Sequence, residues 1–152
     1  MVNLFLREKE LVYPRLVERI DWLNYQMRLH LQACQDCLFP ENQRLVQILA
    51  APLDPRLHID GFCDIRANPI TIVVDPGRID SQDWLGLVVH EYAHAITGTV
   101  GHGPRFGAIL QHLCLGLGLV VTPPDLLTEQ QLCSYPPCRQ TSDPLAFWLS
   151  QQ

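Results

Sequence analysis

The sequence predicts an α+β fold in one domain, with a small β-sheet packed against a long N-terminal helix, the helix carrying an H-E-x-x-H motif and the helix that follows it. Three observations predict it. Leu16, Ile20, Leu23, Met27 and Leu31 recur at spacings of three and four, which gives an amphipathic helix from Pro14 to about Cys37. Ile70 to Val74 reads I-T-I-V-V, a β-branched run expected to form a strand. Val88 to Phe106 reads V-V-H-E-Y-A-H-A-I-T-G-T-V-G-H-G-P-R-F, a helical motif, a glycine break and the start of another helix at Pro104.

Each element follows in order. Leu4, Phe5 and Leu6 make a short lead-in. In the first helix Pro14 suits the first turn, and Arg15, Glu18, Arg19 and Arg28 form a solvated face. Pro40 to Ala51 is expected to be a second, short helix with Leu45, Ile48 and Leu49 inward; Pro52 and Pro55 then break the chain. Leu57 to Ile65 alternates weakly around Gly61, and Ala67-Asn68-Pro69 turns it into the 70–74 strand as a hairpin or meander. A free edge on that strand could pair with an extended peptide. Asp80 or Ser81 is expected to cap the next helix, with Leu85, Val89, Tyr92 and Ile96 on its apolar back. After Pro104, a helix to about Leu115 turns Phe106, Ile109, Leu110 and Leu113 inward. From Thr122 the prolines multiply; Asp125 to Leu132 reads as a short helix capped by Asp125, and Leu145 to Leu149 as an apolar tether. The expected domain covers 1–121, made of 1–51 (helices) and 52–121 (β-element and metal-site helices), and a Pro-rich tail follows over 122–152.

The chemistry concentrates in residues 90–106. Two histidines four apart stand one helical turn apart on one face, so His90 and His94 can reach a single ion, normally zinc. Glu91 follows His90 by about 100° around the helix, placed to hold a metal-bound water without ligating the metal. His102, past Gly98 and Gly101, supplies a third ligand, because those glycines let the chain end the helix and fold back. Three protein ligands with a fourth position open to water is the catalytic form of a zinc site. His112 is a less attractive ligand, a second-shell or core residue, and His30 and His58 carry no motif. Cys34-x-x-Cys37 with Cys133 and Cys138 is a loosely spaced candidate for a second, structural zinc, although plain thiols are the simpler reading.

Composition limits the rest. The chain has 152 residues, 47% apolar and 18% charged, with a net charge of -5, which is ordinary for a globular protein and unlike a nonspecific nucleic-acid binder. Met1 to Glu10 has early charges and no long apolar core, so no signal peptide is expected, and the longest apolar run, Leu113 to Val121, is too short for a bilayer. A cytoplasmic, reducing setting is the default, with no membrane association.

The pattern His90-Glu91-x-x-His94, a glycine-containing gap, then Gly101-His102-Gly103-x-x-Phe106 resembles the SprT-like (Spartan-type) zinc metallopeptidases. The likeness covers about residues 57 to 115, including a β-element and acidic turn before the metal helix, as in Ile70 to Asp75. It implies a zincin-like domain, Zn2+ held by His90, His94 and His102, Glu91 as catalytic base, and a protein or peptide substrate. Some members act on proteins bound to DNA; the acidic charge here does not support that association, and the paired C-x-x-C ribbon of many members is represented only by Cys133 and Cys138.

The expected reaction is therefore peptide hydrolysis. Zinc lowers the pKa of its water from about 15.7 to about 7. Glu91 takes that proton and passes it to the leaving amine, and Arg105 and Tyr135 are candidates to steady the oxyanion. Two other readings remain: a zinc-dependent nuclease of the YbeY type, which places glycine where this chain has Glu91, and a non-catalytic zinc-binding or regulatory module. Metzincin spacing is excluded, since it would need histidine at Val100.

Overall fold

The computed structural model describes residues 9–149, with side chains from residue 17 onward. It has one three-stranded sheet and several helices, as the α+β expectation requires. Helix α1 spans Lys9–Gln35. Leu23, Met27, Leu31 and Cys34 are buried along it at spacings of four, four and three. Burying each large side chain of that kind stabilises the fold by about 1.5–3 kcal/mol. The helix is already formed at Lys9, so Pro14 lies within it rather than at its start, where a proline omits one helical hydrogen bond. The Leu4–Phe5–Leu6 lead-in and the Arg15 and Leu16 side chains fall outside the described residues.

Pro40 to Ala51 is not a helix. A 3-10 turn at Pro40–Asn42 leads into strand β1, Val46–Ala50, whose burial alternates with Val46, Ile48 and Ala50 inward. A short apolar run fits either period, and pairing decides between them. β1 runs parallel to the strand at Ile70–Val74, from Val46 opposite Ile70 to Ala50 opposite Val74. Asn24 on α1 reinforces the choice: its Oδ1 accepts from the Ala50 N–H at 2.7 Å.

Strands β2 (Gly61–Asp64) and β3 (Ile70–Val74) form the expected antiparallel hairpin. Asp64 Oδ1 accepts from the Arg66 and Ala67 N–H groups and so holds its turn. The order is β1-β3-β2, which makes β3 central. A run with Ile72 and Val74 fully buried belongs between two partners, not at an edge. The edges therefore lie on β1 and β2 rather than on 70–74, and β2 is the edge strand that lines the cleft described below.

Asp80 accepts from the Gln82 N–H and opens a turn that runs on into α2, Trp84–Thr97. Val89, Tyr92 and Ile96 are buried as expected, but so are Leu87, Val88, Ala93 and Ala95, so α2 is enclosed on nearly every side. Gly98 ends it with φ 66°, a left-handed conformation that glycine adopts without steric cost, and its N–H returns to His94 O. Helix α3, Pro104–Leu117, starts at its proline and buries Phe106, Leu110 and Leu113.

The last segment packs on the body. One expected helix at 125–132 is instead a 3-10 turn at Pro124–Leu126 followed by α4, Glu129–Leu132. Thr128, not Asp125, caps α4, in a reciprocal box with Gln131. The Leu145–Leu149 tether is part of helix α5, Pro144–Leu149. Its Trp148 is buried, and its indole N–H donates to Asp75 Oδ1 at 2.8 Å. Asp75 also accepts from the Leu53 and Gly77 N–H groups, yet burial still pushes its carboxyl above the usual range. Among the described residues no helix is long and apolar enough to cross a membrane.

Candidate metal centre

Helix α2 presents His90 and His94 one turn apart, and the loop between α2 and α3 brings His102 to them. One ring nitrogen from each lies within 4.8 Å of the others, and the Nε2 atoms of His90 and His102 are 3.3 Å apart. Phe106, from the first turn of α3, packs against all three rings, at centroid distances of 5.1, 4.5 and 4.9 Å. The aromatic residue four positions after His102 is thus the common floor of the cluster.

The outer nitrogens decide which atoms face inward. His90 Nδ1 lies 2.7 Å from Tyr135 O, and His94 Nδ1 lies 2.7 Å from Thr99 O. A carbonyl oxygen only accepts, so each Nδ1 carries the proton and each Nε2 keeps its lone pair. Burial holds both imidazoles below their ordinary pKa, His90 down to about 4, so they are neutral at pH 7. Burial lowers His102 as well. Three neutral imidazoles offering nitrogen donors to one point fit a divalent cation such as zinc. The fixing of each outer N–H is the support that metal-ligating histidines usually have.

Glu91 shares a cleft of about 550 Å³ with the histidines. Its carboxyl is buried, and burial, with a further push from the charge of Asp60, raises it to about 8. Gly61, on β2, stands directly across: a Cβ there would come within 2.9 Å of Val73 O and 3.5 Å of Glu91 Cγ. The missing side chain lets β2 pass close against Glu91. One wall of the cleft is the stretch from His58 to Cys63; the other comes from Cys133, Ser134, Pro136, Cys138 and Gln140.

β2 presents backbone to that cleft. The Asp75 N–H donates to Asp60 O, which sets the phase of the antiparallel ladder. Phe62 and Asp64 therefore turn their N–H and C=O groups toward β3, and Gly61 and Cys63 turn theirs outward.

Among the other candidates, the four cysteines do not meet, in keeping with their reading as plain thiols. Cys34 is buried in the core near Cys114, and Cys37 sits against Gly116 on α3. Cys133 lies at His102, and Cys138 donates to Asp83 O. Among the described residues the three histidines are the group of ligand-type side chains close enough to share an ion. Cys34 lies in the last turn of α1 and Cys37 in the turn just after it, while Cys133 and Cys138 bond elsewhere. Neither oxyanion candidate lines the cleft: Arg105 donates from one guanidinium nitrogen to Thr97 O, and the Tyr135 hydroxyl donates to Val120 O while accepting from the Thr122 N–H. His112 bonds to Cys37 O at 2.7 Å, away from the site.

Other contributors gave no motif. The tail supplies the acceptor on His90 from 45 residues away, and His58 and Gln140 line the cleft, the latter donating to Asp60 Oδ2. His58 is the one non-glycine residue with positive φ, 52°, among the described residues. No local pattern marks such positions. Set against known protein families, curated proteins and solved structures, the chain matches none.

Proposed function

We propose that this chain is a zinc-dependent metallopeptidase with a zincin-like fold, similar to the SprT-like family. His90, His94 and His102 are the zinc ligands and Glu91 is the catalytic base. One observation carries the reading: three imidazoles turn nitrogens toward a single point, and a buried carboxylate that ligates nothing faces the same cleft. A structural site would be closed by a fourth protein ligand, whereas three leave a position for solvent and substrate.

Zinc, when bound, is a Lewis acid that polarises a carbonyl and acidifies a water. The chain's own groups do the rest. Glu91 removes the water's proton and returns it to the leaving amine. Its burial keeps bulk water from competing for that proton. The outward N–H and C=O groups of Gly61 and Cys63 can pair with an extended backbone, which supports a peptide over an RNA substrate. The net charge of -5 supports the same choice.

Glu91→Gln is the test. The substitution should keep zinc and lose hydrolysis of casein or a peptide by about a hundredfold or more, as removal of a general base does. Retained peptide hydrolysis would refute the base assignment; zinc with RNA cleavage and no peptide cleavage by the wild type would favour a nuclease.

A further inference from the structure

We infer that Cys133 is the positioning residue of the third metal ligand, and that its thiol makes metal affinity at this site responsive to thiol modification. The inference rests on the three histidines being a metal site. It does not require that the site hydrolyse peptides.

The three ligands are not held alike. His90 and His94 stand on α2 and give their Nδ1 protons to backbone carbonyls. His102 stands in the loop between helices, flanked by Gly101 and Gly103. Its Nδ1 lies 3.2 Å from Cys133 Sγ, a side-chain partner, and its ring otherwise leans on Phe106. A carbonyl is fixed by the fold and survives any substitution, but a thiol does not.

The thiol also does what a carbonyl cannot. With a cation present, His102 must offer a bare Nε2, so its proton sits on Nδ1 and the sulfur accepts. Without a cation, the thiol can donate to Nδ1 while His102 Nε2–H donates to His90 Nε2 across 3.3 Å. Cys133 can therefore partner His102 in both tautomers and guide the ring between them. Its carrier is well anchored: Leu132 is buried against the Gly107 turn of α3, and the Tyr135 hydroxyl ties the following residues to Val120 and Thr122.

Reactivity follows from exposure. Cys133 is the exposed cysteine among the six, while Cys34 and Cys114 are buried and the others half-buried. Iodoacetamide reacts with such a thiol by forming a C–S bond as iodide leaves and the thiol proton goes to solvent. The thioether can still accept, but it is bulkier than the thiol and crowds the space beside His102 that the metal-bound ring needs.

The experiment measures zinc affinity by competition with a chromogenic chelator, for wild type, Cys133→Ala and Cys133→Ser, before and after iodoacetamide treatment of the metal-free proteins. Cys133→Ala should weaken binding by about tenfold, the lower end of what loss of an outer-shell partner costs. Cys133→Ser, whose hydroxyl both donates and accepts, should recover part of that loss. Alkylation should weaken the wild type and leave Cys133→Ser unchanged, although the other five cysteines remain in it. Melting of the metal-free proteins separates a folding defect from a site defect, and the expected result is near-equal melting with unequal affinity. Equal affinity for wild type and Cys133→Ala, or equal sensitivity of wild type and Cys133→Ser to the reagent, overturns the assignment. Absence of zinc binding in unmodified wild type would instead overturn the metal-site reading beneath it.

Discussion

His94 and His102 reach the same point from unlike supports. His94 is almost wholly buried on a helix enclosed on nearly every side, and its outer nitrogen is tied to Thr99 O in the next stretch of backbone. His102 is on a loop, and a side chain from 31 residues further along holds it. The first arrangement is preorganised by the same packing that stabilises the fold. The second depends on the tail docking correctly, as His90 also does through Tyr135 O, and in addition on one thiol. On the proposed reading, α2 would hold two of the ligands and the loop a third whose outer nitrogen rests on a side chain rather than on backbone.

The sharpest way to break that comparison is to remove the ligands one at a time. His94→Ala leaves one helical and one loop ligand, whereas His102→Ala leaves the helical pair intact. Both should weaken zinc binding, on the order of a hundredfold or more where a ligand is lost outright. Isothermal titration should find His94→Ala at least about tenfold weaker than His102→Ala. Equal losses would mean that the loop histidine is as preorganised as the helical one.

A smaller effect sharpens the α2 side. In the metal-free protein, burial has raised the Glu91 carboxyl from an ordinary value near 4.5 to about 8. A raised acid favours folding in its protonated form. Its contribution is fully present below the unfolded value and is lost as pH rises through the folded one. Glutamine does not titrate. Metal-free Glu91→Gln should therefore melt together with wild type at pH 4.5 and several degrees above it at pH 8, as thermal scans across that window would show. A constant offset at all pH values would mean that Glu91 is not titrating in the fold.

The two supports also differ in how readable they were. The α2 half was legible because its information is local: a four-residue spacing and a glycine stop at Gly98 act within one helix, and Asp80 caps the 3-10 turn just before it. The hairpin and α3 were legible for the same reason, through a β-branched run and a proline start. β1 was not, because Leu45 to Leu49 satisfies a helical period and only pairing with β3 settles the matter. Neither was the second wall of the cleft. Tyr135 O is a backbone atom, so no residue type announces it, and Cys133 drew attention for its spacing to Cys138 rather than for its distance from His102. Contacts made across 31 and 45 residues are set by how the tail lies on α2 and α3, which no short motif encodes. The same is true of His58, whose backbone conformation follows from the turn at Pro55–Leu57.

The central claim is that three imidazoles converge to hold one divalent cation. Metal analysis by inductively coupled plasma mass spectrometry on the purified chain, after dialysis with zinc, tests it most directly. The account predicts one zinc per chain in wild type and a marked loss in His94→Ala. Two zinc ions per chain, or none in a folded wild type, would contradict it.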